Sequence, residues 1–196
     1  MNTNALPFAT GLPRRAHHLD AEQPLFLAGQ RATRLFYVQS GCIHLKRGLG
    51  HGASAPMQLT RANEWVAEAS LFSDRYHCDA VASEPTTLVS VSKQSLLKRF
   101  DEDSQSAIAF ASILAAQLRT LRQMHEIVRV RRAEDRVLAW LTLHARGTPL
   151  SLELDRTWTE VADELALTRE AVYRTLSVLK RAGRVRIDGT KVVLSL

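Results

Sequence analysis

Residues 160–187 read EVADELALTREAVYRTLSVLKRAGRVRI, and the spacing inside this stretch decides the fold of the C-terminal third. Val161, Ala162 and Leu165 fall on one face of a first helix. Thr159 can N-cap that helix, with acidic residues in the first turn where the helix dipole prefers them. Ala166 and Leu167 suit a tight connection, and Thr168 can N-cap a second helix. In that helix Val172, Leu176 and Leu179 repeat on one side and pack inward. Two short helices joined this way form a helix-turn-helix. The following RVRIDGTKVVLSL sets Asp188-Gly189 between runs of β-branched residues, which signals a hairpin wing.

In a helix-turn-helix the N-terminal part of the second helix enters the major groove. Arg169, Glu170, Tyr173 and Arg174 lie off the apolar stripe and are the predicted base readers. Arginine bonds guanine O6 and N7 with two donors, and glutamate accepts from cytosine N4. Thr168, Lys180, Arg181, Arg184 and Lys191 are predicted phosphate contacts. Any one of these charges alone reads more simply as a solvated helix face. Their common place in a winged helix-turn-helix makes double-stranded DNA the expected partner.

Upstream, RRAEDRVLAWLTLHARG reads as an amphipathic helix carrying Val137, Leu138, Leu141 and Leu143, ending near Gly147, and LSLELD as a strand. Residues 104–130 contain no Pro or Gly and predict one long helix, about 40 Å at the usual rise per residue. Ala107, Phe110, Leu114, Gln117, Leu121, Met124 and Val128 recur at alternating spacings of three and four, a heptad-type seam. That seam predicts a homodimer; packing on the chain's own β domain is the alternative. From Pro24 to Ser95 the chain breaks into strand-length pieces (PLFLAGQ, RLFYVQSG, CIHLKRG, PMQLT, HCDAVAS, TTLVSVS) punctuated by glycines at 29, 41, 48, 50 and 52. Residues 1–24 read as an arm or a small first helix. The predicted class is α+β. It comprises an antiparallel, jelly-roll-like β-roll sensor domain (1–103), a dimerisation helix (104–131) and a winged helix-turn-helix (132–196).

The chain has 196 residues, a net charge of +6 and a pI near 9.8. Thirteen Lys/Arg against nine Asp/Glu fall after residue 128, so the basic surplus sits with the predicted DNA-binding part. No apolar run is long enough for a bilayer, and MNTNALPFATGLPRR lacks the order of a signal peptide, so a cytoplasmic location and no membrane partner are expected. Cys42 and Cys78 make no disulfide framework. Histidines at 17, 18, 44, 51, 77, 125 and 144 lack the spacing of a cupin metal site, and no nucleophile constellation appears. A cupin-like β-roll enzyme is therefore the minor competing class, and no catalytic activity and no cofactor are predicted.

The order of β-roll, long helix and winged helix resembles the Crp/Fnr family of bacterial transcription regulators over nearly the whole chain. PLFLAGQRATRLFYVQSGCIHL is similar to the start of that family's roll, and EVADELALTREAVYRTLSVLKRAGRVRI to its DNA-binding signature. The family's Arg-Glu pair and later Arg fall on Arg169, Glu170 and Arg174, which implies a dimer reading a palindrome with TGTGA-like half-sites. RNA polymerase is implied as a partner if the protein activates transcription. Tyr173 stands where the best-known members have a small residue.

The family's cyclic-nucleotide cassette is a Gly-Glu near a short helix and an Arg-Ser on the next strand. Here WVAEASLFSDRYHCDAVA keeps Glu68, has Ala67 for the glycine and places His77-Cys78 at Arg-Ser. Without that arginine a buried phosphate lacks its main counter-charge, so cyclic nucleotide is not an expected ligand. Glu68, His77 and Cys78 remain the effector-pocket candidates. Cys42, His44, His77 and Cys78 are the candidate ligands of an alternative haem, metal or thiol sensor. Adjacent strand residues face opposite ways, so His77 and Cys78 are not expected to share a metal.

Overall fold

Ile43 and Leu45 alternate with His44 and Lys46, and that period of two builds the N-terminal half. The structure is a computed structural model, describing residues 7–50 and 53–195. The first six residues of the stretch read for a leader lie outside the described residues, as do His51 and Gly52. Strands β1 (Arg14–Leu19), β2 (Pro24–Phe26), β3 (Arg34–Ser40), β4 (Cys42–Gly50), β5 (Ala53–Arg61), β6 (Trp65–Val66), β7 (Asp79–Ala82) and β8 (Thr86–Ser92) form two antiparallel sheets. Their orders are β1-β8-β3-β6 and β2-β7-β4-β5. Phe36, Val38, Ile43, Leu45, Ala80, Ala82 and Leu88 are buried together as the core of this roll. Gly41 makes the turn from β3 to β4 at φ +85°, where a Cβ would fall 2.4 Å from Thr86 Oγ1, so only glycine fits.

Two sequence expectations change here. Residues 14–19 are not an arm but edge strand β1, paired with β8. Its exposed Arg14 and Arg15 are the charged decoration that keeps an edge from pairing further, and with exposed His18 they hide the strand from an apolar-pattern reading. The HCDAVAS strand starts only at Asp79, leaving His77 and Cys78 in a bend before β7.

The helices follow: α1 (Lys93–Glu102), α2 (Ser104–Val128), α3 (Ala133–His144), α4 (Trp158–Glu164) and α5 (Arg169–Arg181). Strands β9 (Ser151–Glu153), β10 (Val185–Asp188) and β11 (Lys191–Leu194) pair in the order β10-β11-β9 as the wing. The α+β architecture read from the sequence is the one observed. The chain divides into two compact units, Met1–Ile113 and Leu114–Leu196, so the division falls inside α2 rather than at its ends. The cause is packing at each end of that helix. The Phe110 ring lies 5.0 Å from Phe8 and 5.4 Å from Phe100 in the first unit, whereas Ile127 is buried with Trp140 and Leu141 in the second. No helix among the described residues is long and apolar enough to cross a membrane.

Candidate DNA-binding surface and sensor pocket

Helix α4 starts two residues earlier than the sequence suggested. Thr157, not Thr159, is its N-cap. Thr157 Oγ1 accepts from the Glu160 N–H at 3.2 Å, and the Glu160 carboxylate accepts from the Thr157 N–H at 2.6 Å, which is a capping box. Val161, Ala162 and Leu165 are buried as expected. The chain reverses through Ala166, whose φ is +50°. Thr168 then caps α5, accepting from the Ala171 N–H at 3.2 Å. Val172, Thr175, Leu176 and Leu179 are buried on one face of α5, which leaves Arg169, Glu170, Tyr173 and Arg174 exposed on the other.

Arg169 occupies the first position of α5, at the positive end of the helix, where a cation is disfavoured. Its guanidinium carbon lies 5.4 Å from the centre of the Tyr173 ring, one turn on, so the ring's negative face offsets part of that penalty and orients the side chain. Lys180, Arg181 and Lys191 are exposed; Arg184 is half-buried, 3.9 Å from Glu134. Arg186, which the sequence reading passed over, joins Lys180 and Lys191 in lining open grooves along the wing.

Two supporting sets also escaped the sequence reading. Trp140 is almost fully buried, and its indole N–H donates to Glu164 at 3.0 Å. The other Glu164 oxygen accepts from Arg156 at 2.5 Å, and Arg156 also bonds Asp155 at 2.8 Å. Burial pulls the Arg156 pKa down, but the hydrogen bond to Asp155 and the Glu164 charge outweigh it and hold the pKa above its ordinary value. Arg136 places its guanidinium against the backbone carbonyls of Val130, Leu165 and Ala166. Bonds to main-chain carbonyls leave no residue pattern, so nothing in the sequence marks Arg136. Thr157 was marked, because Thr157-x-x-Glu160 is the capping-box spacing.

The seam read along α2 is unevenly exposed. Phe110 is buried against its own chain, and Leu114, Gln117, Met124 and Val128 are half-buried. Of that set, Leu121 is open, 61 % exposed. A second, free apolar stripe runs through Ile108 (55 % exposed), Ala111, Ala115 and Leu118 (48 %), again at spacings of three and four. The 25-residue helix therefore carries two apolar faces.

In the roll, Glu68 is half-buried in a short 3-10 turn, Glu68–Ser70, entered through Ala67 at φ +71°. That left-handed conformation explains why glycine suits this position in the resembling family and why alanine is strained there. His77 is exposed, with Nδ1 3.3 Å from Ser70 Oγ, whereas Cys78 points into the core. Burial pushes the Cys78 thiol pKa up, which keeps it protonated and poorly reactive. Cys42 is buried at the start of β4 and His44 is half-buried beyond it. Among the described residues no three His, Cys, Asp or Glu side chains are placed to hold one metal. Aromatic rings fill this end of the roll: Phe26 stacks on Tyr76 at 3.8 Å and lies 5.8 Å from Phe36. Arg75 is exposed and donates to the Gly29 carbonyl at 2.5 Å.

Residues 16–103 match the family model described as cyclic nucleotide-binding domain, and residues 135–195 the Crp-like helix-turn-helix domain. The chain is 23 % identical over 193 residues to a global nitrogen regulator of Synechocystis, covering 93 % of this chain and 85 % of that protein. It is 25 % identical to the nitrogen fixation regulation protein FixK of Azorhizobium caulinodans, over 87 % of this chain and 71 % of that one. In fold it is similar to FixK2 of Bradyrhizobium japonicum, with a TM-score of 0.71, 21 % identity and 94 % of each chain covered.

Proposed function

The chain is a DNA-binding transcription regulator belonging to the Crp/Fnr family, and on that premise we propose that it acts as a homodimer reading a palindrome with TGTGA-like half-sites. The observation that carries this reading is α5. One face is buried as a stripe, and Arg169, Glu170, Tyr173 and Arg174 stand exposed on the other, within its first two turns. Arg169 and Arg174 read guanine, Glu170 reads cytosine, and Thr168, Lys180, Arg181, Arg184 and Lys191 hold phosphates. The protein works in the cytoplasm as a binder rather than an enzyme, touching RNA polymerase where its site lies so as to activate. Selection of duplexes from a random pool by the purified protein tests this. A palindrome with G and C at fixed positions in each half is expected, and a pool that stays random overturns it.

Dimerisation is assigned to the free stripe of α2, where Ala111 and Ala115 between Ile108 and Leu118 let two helices approach closely. Ile108→Asp combined with Leu118→Asp is expected to give monomers in sedimentation and to abolish palindrome binding. A double variant that still sediments as a dimer removes the stripe from the interface.

The sensor half acts without cyclic nucleotide and without a bound cofactor. Support comes from the rings of Phe26, Tyr76 and Phe36 filling the roll, and from exposed His77 standing where the family has arginine. Calorimetric titration with cyclic AMP is expected to give no binding heat; a saturable isotherm overturns this part alone. The haem, metal or thiol alternative on Cys42, His44, His77 and Cys78 has less support, because Cys78 faces the core and His77 faces solvent.

A further inference from the structure

The guanidinium of Arg136 sits where two helices end. Helix α2 stops at Val128, and just beyond it the Val130 carbonyl accepts from Arg136 Nε at 3.0 Å and Nη2 at 2.6 Å. Helix α4 is capped at Leu165, whose carbonyl accepts from Arg136 Nη1 at 2.9 Å, with the Ala166 carbonyl 3.4 Å from the same nitrogen. Both are carbonyl-rich helix ends, where the last C=O groups lack partners within the helix and the dipole is negative. One cation therefore satisfies two ends at once. Ala166 is held at φ +50°, a conformation that a residue with a Cβ keeps only when its surroundings impose it. Ile127, the last buried residue of α2, packs in the same core as Val161 and Leu165 of the helix-turn-helix. A planar fork reaching two separate segments is a property of arginine; lysine offers a single point charge.

We infer that Arg136 is a positioning residue that locks the helix-turn-helix to the end of the long helix, and so sets the spacing at which two recognition helices meet DNA. This rests on the dimeric DNA-reading function proposed above. Half-sites of a dimeric helix-turn-helix lie about one DNA turn, 34–36 Å, apart. Loosening the helix-turn-helix at 129–132 leaves each set of base readers intact while blurring the distance between them. Base preference within a half-site and preference for spacer length therefore report separate things.

The test uses full-length protein carrying Arg136→Lys, and a duplex library with fixed half-sites selected by the wild type and spacers of varied length. The wild type is expected to prefer one spacer by about tenfold over its neighbours, and the variant to lose most of that preference while selecting the same half-sites. Hydrogen exchange at 129–132 and 165–168 is expected to rise together in the variant. In the wild type, the Arg136 Nε–H resonance should be protected and its guanidinium rotation slowed, a reading that needs no variant to fold. Unchanged spacer preference in a folded variant overturns the proposal even if its melting temperature falls; so does a freely rotating guanidinium in the wild type. If the wild type selects no palindrome, the DNA reading fails by itself, and the clamp is decided by the exchange and resonance measurements.

Discussion

Arg169→Ala is expected to lower affinity for the selected operator by about 30-fold to 10⁴-fold while leaving the protein as stable as before. A lost base contact costs about 1–3 kcal/mol, and a homodimer loses two. The stability half follows from where Arg169 stands. It is the first residue of α5, at the positive end of the dipole, and its named partner is the ring of Tyr173. Removing it relieves about 0.3–1 kcal/mol of unfavourable charge and forfeits an exposed cation–π contact of similar size, so folding is nearly unaffected. Weakened binding in this variant therefore cannot be blamed on unfolding. The base preference should relax at the guanine that Arg169 reads and at its symmetry mate. Lys180→Ala makes the contrast: exposed in the last turn of α5, it should weaken all sequences alike and flatten the salt dependence. An Arg169→Ala protein with unchanged operator affinity and unchanged base preference would remove α5 from the reading position.

How much of this was legible in the sequence depends on whether the signal was local. The helix-turn-helix was legible because its determinants lie within thirty residues of one another: the Val172, Leu176 and Leu179 stripe, the Thr168 cap and the Asp188-Gly189 turn. The cap of α4 was misplaced by two residues because DRTWTE offers two threonines; the reach of Glu160 back to Thr157 decides between them. β1 was lost because an edge strand shows water its charges. Along α2, periodicity finds an apolar face without saying what covers it: Phe8, far away in the chain, covers Phe110. In the roll, His77 and Cys78 were flagged by comparison with a motif, but only tertiary structure sends one to solvent and the other to the core. Arg136 was invisible, since its partners are backbone carbonyls 6, 29 and 30 residues away.

Trp140→Ala is expected to unfold the C-terminal unit at moderate temperature and to abolish operator binding, with the N-terminal unit still folded. Trp140 is among the largest fully buried side chains of the protein, within the core that also holds Val161, Leu165, Val172 and Leu176. Truncating a buried Trp costs about 3–5 kcal/mol through lost transfer energy and the cavity left behind. A second loss adds to it. The indole N–H is a donor to Glu164, which is in turn held by Arg156, so removing the ring exposes one side of a largely buried ion pair to an empty space. Against a domain stability of about 5–15 kcal/mol this is most of the margin. Trp140→Phe keeps most of the volume, dropping the N–H together with two ring carbons; its melting point should fall about a third as far. Trp65 belongs to the first unit and Trp158 to the second, so in Trp140→Ala the blue-shifted emission of Trp65 should survive heating that already reddens Trp158. Melting of both together, or a melt like that of the wild type, would show that Trp140 does not carry the winged core.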